Sequence, residues 1–218
     1  ILTPLHKNKR LKKSYRPILI YITKPFFKLH KFIYENINGV IASDIDYHIP
    51  LLGNPKYLVL IPNPIHTDRI KFNSNKIIKK IIIFHGVNSM NYTKKGNIFF
   101  DDALAIIQKK YSDKIEIFTT RDIPYINYIQ LYNGCHILLD QVYAYDQGYN
   151  ALEAMANGKV VFTGAEQEWL DYYNLKEDTV AINALPDAEK IAEKLECLIL
   201  NTSNILELSK NARAFIEK

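Results

Sequence analysis

The stretch DQGYNALEAMANGKVVFTG, Asp146 to Gly164, decides the fold. After Asp146-Gln147 it turns at Gly148, passes through good helix formers, stops at Asn157-Gly158 and runs on into Val160-Val-Phe162. Ala, Leu, Met and Glu favour a helix over 149–157, and an Asn-Gly pair ends one. The apolar run then predicts a short buried strand over 159–162. Gly148 lets another group approach the helix entry closely. The first-turn amides have no partners inside the helix and favour an anion. Tyr149, Leu152 and Ala156 are predicted to face the core. Glu153, one turn beyond Tyr149, is an acid beside that opening. An ionised carboxylate only accepts hydrogen bonds, so it suits a sugar diol and repels phosphate. An ordinary loop end and a solvated glutamate fit the same residues.

Working outward, further apolar runs predict strands at 81–84, 115–118, 136–139 and 179–182. Helical segments are predicted between and after them, over 97–110, 122–132, 169–173, 187–200 and 204–217. Ile98, Leu104, Ala105 and Ile107 are candidate inward positions of the first. Short, wholly apolar strands alternating with helices predict an α/β fold with a parallel sheet covered on both faces. The ligand crevice of such a sheet lies outside the C-terminal ends of its strands. Upstream, Pro17–Ile22 is a short apolar run. A helix over 26–37 presents Phe26, Leu29, Ile33 and Ile37 near one face. Strands are predicted at 39–42 and 57–61, with a short helix capped by Ser43-Asp44 between them. Pro62-Asn-Pro64 ends the second strand.

Three loops converge on the expected crevice. His85-Gly86 closes the first strand and opens a polar, basic loop to Gly96 that holds Asn88, Lys94 and Lys95. Either lysine offers a point charge to a diphosphate. The loop matches neither a phosphate-loop nor a dinucleotide fingerprint. Thr119 to Tyr125 follows the second strand with hydroxyls and an aromatic ring for a base or ribose. Asp140, Tyr143, Tyr145 and Asp146 crowd the 140–148 loop and suit a polyhydroxyl ligand; Asp140 equally fits a turn cap. His85 is either a ligand contact or a structural histidine.

The chain has 218 residues and 48% hydrophobic content, enough for a substantial core and against disorder. Beginning at Ile1, it reads as a piece of a longer protein or a processed product. Two cysteines, Cys135 and Cys197, read as buried thiols in a reducing compartment. No signal peptide and no membrane-spanning run is evident. The net charge of +5 is local: residues 1–31 hold nine Lys or Arg and no acid. The other residues hold 19 of the 28 basic side chains against 23 acidic ones, a net of −4. The basic segment suits an anionic membrane, an acidic neighbour or a solvated surface. Nucleic acid is not expected as a partner, because no reader helix, interleaved aromatics or zinc knuckle accompanies the charge.

Residues 57–217 resemble the C-terminal, donor-binding domain of retaining glycosyltransferases of the GT-B architecture (glycosyltransferase family 4-like, glycosyl transferases group 1). The resemblance is carried by PNPI at 62–65, HG…KKG at 85–96 and ALEAMANGKVVFTG at 151–164. LPDAEKIAEKL at 185–195 and NARAFI at 211–216 add to it. It implies a Rossmann-like parallel sheet over 80–218, an interdomain crossing and linker over 57–79, and a remnant of the N-terminal, acceptor-side domain over 1–56. By the family pattern, Glu153 is the second acid of a Glu-x7-Glu motif and binds the donor ribose. Lys95 meets the diphosphate, and Gly148 and Tyr149 form the turn at the distal phosphate and sugar. The first acid is replaced by Tyr145, with Asp146 one residue away, and Asn88 stands near a usual arginine.

The implied activity is hexosyl transfer from a UDP-, GDP- or ADP-sugar to a glycan or lipid-linked acceptor, without a cofactor. The implied place is the cytoplasm, peripheral on the inner face of the cell membrane. A nucleotide-sugar epimerase and a non-catalytic nucleotide-sugar-binding domain are the competing functions.

Overall fold

The structure, a computed structural model, describes residues 21, 23–73, 76, 77 and 79–218. The Pro17–Ile22 run, apart from Tyr21, and six of the nine basic residues of 1–31 lie outside the described residues. The chain divides into two compact units, Ile1–Asn63 and Pro64–Lys218.

The first unit contains α1 (Lys24–Asn36), β1 (Val40–Ala42), α2 (Ile45–Leu51) and β2 (Tyr57–Leu60). β1 and β2 pair in parallel as a two-stranded sheet. Asp44 caps α2 as expected, its carboxylate accepting from the Tyr47 amide at 3.0 Å. Lys56 ties strand to helix by donating to the carbonyls of Tyr34 and Ile37. The predicted helix forms, yet none of the residues of α1 is buried.

The second unit carries β3 (Ile81–Val87), α3 (Tyr92–Lys95), α4 (Asn97–Tyr111), β4 (Ile115–Arg121), α5 (Tyr125–Gly134) and β5 (Ile137–Leu139). Then come α6 (Tyr149–Asn157), β6 (Val160–Thr163), α7 (Gln167–Tyr173), β7 (Ile182–Asn183), α8 (Ala188–Leu200) and α9 (Thr202–Ile216). The five strands lie in the order β4-β3-β5-β6-β7, all parallel. In such an open sheet the crevice opens where the order reverses, between β3 and β5 at their C-terminal ends. The core packs Ile83, Phe162 and Ile137 of the sheet against Phe100, Leu104 and Ile107 of α4 and Leu195 of α8.

Several local expectations are corrected. α5 begins at Tyr125, not Asp122, because Asp122 has φ 50° and Pro124 restricts the residue before it. β7 begins three residues later than expected, since Asp178 turns the backbone with φ 54° and its carboxylate accepts from Asn183. The inward stripe of α4 is Phe100, Ala103, Leu104 and Ile107, at i, i+3, i+4 and i+7, so Ala105 is exposed and Ile98 half-buried. On α6 the buried positions are Ala151, Ala154, Met155 and Ala156. Tyr149 therefore points out with Glu153, its i+4 neighbour, rather than into the core. Cys135 is buried, but Cys197 is exposed because it falls off the buried face of α8. Gly158 ends α6 at φ 87°, a conformation that disfavours a side chain.

Candidate functional site

β3 ends in His85-Gly86-Val87, and its pairing to β4 sets His85 opposite Thr119 and Gly86 opposite Thr120. Side chains alternate between sheet faces along a strand. One face carries Gly86 and Thr120, and the other carries His85 and Thr119. Tyr128 of α5 covers the first face: a Cβ on Gly86 would come within 2.4 Å of its ring. The Phe84 and Tyr128 rings meet edge to face at 5.1 Å. A cleft of about 310 Å³ opens above them. Its walls include Gly86, Asn88, Lys95, Thr120, Tyr128 and Asn150, with Tyr125 at the mouth.

A chain of polar contacts forms beneath this cleft from four separate segments. Asp140, directly after β5, is buried, and its Oδ1 accepts from Lys95 Nζ at 2.8 Å and from Asn150 Nδ2 at 2.9 Å. Asn150 Oδ1 in turn accepts from the Tyr128 hydroxyl at 2.7 Å. Burial raises the pKa of that phenol and the neighbouring Asp140 carboxylate adds to the rise, so Tyr128 stays a donor. Lys95 thus reaches the cleft already oriented, with two ammonium hydrogens beyond the Asp140 bond.

His85 is fully buried on the opposite face. Its Nδ1 lies 3.3 Å from the Leu139 carbonyl, its ring packs edge to face on Phe100, and Nε2 lies 3.6 Å from Asp101. Burial lowers its pKa, so the ring is neutral at pH 7. Asp101 also accepts from the Tyr92 hydroxyl at 2.6 Å, and burial with that bond pushes the Tyr92 pKa up to about 12. Buried side-chain atoms without a hydrogen-bond partner among the described residues include Thr120 Oγ1, Asp140 Oδ2, His85 Nε2 and both polar atoms of Asn97. Such atoms are uncommon in folded chains. These belong to residues at the C-terminal ends of β3, β4 and β5 and at the start of α4.

Gly148 caps α6 with an ordinary extended backbone, φ −82° and ψ 172°, and a Cβ there would meet nothing within 4 Å. Neither strain nor packing inside the chain calls for glycine. No side chain caps the helix start. The 140–148 loop is pinned by Gln147, which donates to the Gly164 carbonyl at 2.8 Å, and by the Glu166 amide, which donates to Tyr145 O at 3.0 Å.

Glu153 is exposed and lines a second cavity, of about 420 Å³, with Arg69, Lys71, Tyr125 and Tyr132. Tyr125 borders both cavities.

Of the residues singled out in the sequence, Gly86, Asn88, Lys95 and Tyr125 line the cleft, and Asp140 anchors Lys95 beneath it. Glu153 stands in the adjoining cavity. Lys94 and Thr119 are exposed, Tyr145 is half-buried and Asp146 is buried in its loop; none of these lines the cleft, nor does Tyr149. Thr120 and Asp122, within the 119–125 stretch, line it as well, and Tyr128 and Asn150 line it without having been singled out. Strand phase was the available signal for Thr120. Tyr128 lies one turn after Tyr125, and Asn150 lies in the first turn of the helix opened by Gly148.

The five-stranded parallel sheet and its covering helices match the Rossmann-like fold of GT-B glycosyltransferases. Sucrose-phosphate synthase of Thermosynechococcus elongatus superposes with a TM-score of 0.65 at 18% identity, over 92% of this chain and 60% of that one. HepE from Anabaena, solved in complex with UDP-glucose, gives 0.59 at 14% identity, over 83% and 59%. The C-terminal domain of a glycosyl transferase group 1 family protein from Francisella tularensis gives 0.50 at 19%, over 70% and 96%. The chain spans about three-fifths of the length of the first two proteins. No protein-family model and no curated protein matches the sequence.

Proposed function

We propose that the chain supplies the donor side of a retaining glycosyltransferase. It would move a hexosyl unit from a UDP-, GDP- or ADP-sugar to a glycan or lipid-linked acceptor. The reading rests on one observation above the rest: a basic side chain, held by a buried carboxylate, faces a cleft at the reversal point of the sheet. The diphosphate takes the free hydrogens of Lys95 and the first-turn amides of α6, which Gly148 leaves uncovered. Those donors stabilise the charge that grows on the departing diphosphate. Glu153 accepts from the donor ribose, with Tyr125 between the two cavities. The structures superposing on the chain are glycosyltransferases, and HepE was solved with UDP-glucose. Residues 1–56 form the tail of the acceptor-side domain, and the basic segment at 1–31 docks the enzyme on an anionic membrane surface.

Lys95→Ala tests the reading. Losing one charge-assisted contact weakens a nucleoside diphosphate by about 1.5–3 kcal/mol while leaving the nucleoside almost unchanged. Calorimetry with both ligands reads the difference. Equal loss for the two, in a folded variant, overturns the diphosphate role.

A further inference from the structure

A different cavity, of about 340 Å³, opens beside the starts of β5 and β6, at the end of the strands opposite the cleft. Its lining residues are Asn73, Lys76, Asn133, Cys135, His136 and Lys159, with Gly134. Among the described residues the lining side chains include two lysines and no carboxylate. We infer that this cavity binds a phosphate group, held by the Lys159 and Lys76 ammonium groups and the side-chain amides of Asn73 and Asn133.

Lys159 is 1% exposed and among the largest fully buried side chains. A lysine is rarely buried without an opposite charge, because desolvation of the ammonium is costly. Here no acid pairs with it among the described residues. Nζ donates to the Asn133 carbonyl at 2.8 Å, in the last turn of α5. A helix C-terminus carries roughly half a negative charge. That offsets part of the ammonium, and among the described residues the remaining charge and two hydrogens meet no partner. Burial lowers the lysine pKa, as expected for a cation without a full counter-charge.

The other lining groups do not compensate the charge. His136 accepts from the Ile82 amide through Nδ1 at 2.8 Å, which places the ring proton on Nε2, facing the Lys76 carbonyl at 3.4 Å. The ring is thereby neutral, and burial lowers its pKa. Burial pushes the Cys135 thiol up to about 12, so it too is uncharged at pH 7. Lys76 is exposed and adds a second positive charge at the rim. Asn73 and Asn133, also exposed, each offer two amide hydrogens. Two cations and four amide donors around a cavity of small-ligand size match a phosphate dianion. A bare helix cap would need only the first lysine and no cavity.

Amide NMR of the 218-residue chain, titrated with inorganic phosphate and separately with glycerol 3-phosphate, tests the site. Saturable shifts at Asn133–His136 and Lys159 are expected. Equal response to both ligands makes the phosphate group sufficient, and response to the ester alone makes a phosphate ester the ligand. Lys159→Gln is expected to weaken binding at least about tenfold, and Lys76→Gln, at an exposed position that leaves the fold intact, by roughly three- to tenfold. Absence of saturable shifts at these amides with either ligand overturns the inference. So do shifts confined to Gly86–Asn88 and Gly148–Asn150, or an affinity unchanged by Lys76→Gln.

Discussion

The central strands of residues 64–218 and the strands of residues 1–63 share one composition and meet opposite fates. β3, β5 and β6 carry Ile, Leu, Val and Phe, and their apolar side chains are buried or nearly so. β1 and β2 are similarly apolar and bury Ala42 and Leu60, yet Ile41 is 56% and Leu58 66% exposed. α1 adds Phe27 and Phe32 at 66% and 62%. An apolar run therefore specifies a strand in both units, and only the helices around it make a core. Parallel strands are ordinarily covered on both faces. The second unit meets that condition. The first leaves Ile41, Leu58 and Val59 exposed.

The sharpest way to break this contrast is to truncate one side chain in each unit. Phe162→Ala, in a fully buried position of β6, is expected to cost about 3–5 kcal/mol. Leu58→Ala, on an exposed face of β2, should cost within about 0.5 kcal/mol. Urea unfolding of both variants measures the difference. Comparable losses would mean that the Leu58 face is packed as tightly as the interior around Phe162.

Gly86→Ala sharpens the description of the second unit at its cleft. The new Cβ must displace the Tyr128 ring, at about 1–3 kcal/mol of stability. Because Tyr128 donates to Asn150, which donates to Asp140, the variant should also loosen Lys95 and weaken nucleotide binding. Wild-type stability in Gly86→Ala would contradict the close packing.

Glu153→Gln probes the cavity next door and should leave stability unchanged, since the side chain is exposed. It is expected to weaken a ribonucleoside diphosphate by about 1–3 kcal/mol and the 2′,3′-dideoxy analogue much less. Equal weakening of both would remove Glu153 from the ribose.

The smallest effect is a pH dependence of the second unit. Burial lowers the pKa of His85 and of His136, so the unfolded chain binds more protons than the folded one below the ordinary histidine value of about 6.5. Their contribution is fully present above that pH and is lost as pH falls toward the folded values. Urea midpoints between pH 7.5 and 5.5 should fall, and less steeply in His85→Gln. A midpoint rising over this range would reverse the assignment.

Much of the second unit was legible because its strands are unbroken apolar runs bounded by polar loops, as at Ile81–Phe84 and His136–Leu139. Asp44 and Gly158 marked helix ends through chemistry that acts within a few residues. What escaped depends on partners far along the chain. Thr119 and Thr120 are the same residue type, and only the pairing of β4 to β3 shows that the second reaches the cleft. The sequence offered Lys95 and Asp140 as separate candidates; their 45-residue separation hid that they form one unit. Tyr149 was expected to face the core with Leu152 and Ala156, but the alanines and methionine of α6 take the buried face instead. β7 was displaced by the Asp178 turn, a single-residue event that apolar patterning does not register.

The most direct test of the central claim is calorimetric titration of the 218-residue chain with UDP, GDP and ADP. Saturable, one-to-one binding of at least one of them is expected, with loss of that affinity in Lys95→Ala. Absence of saturable binding to all three, in protein shown to be folded, would contradict a donor site at the β3–β5 cleft.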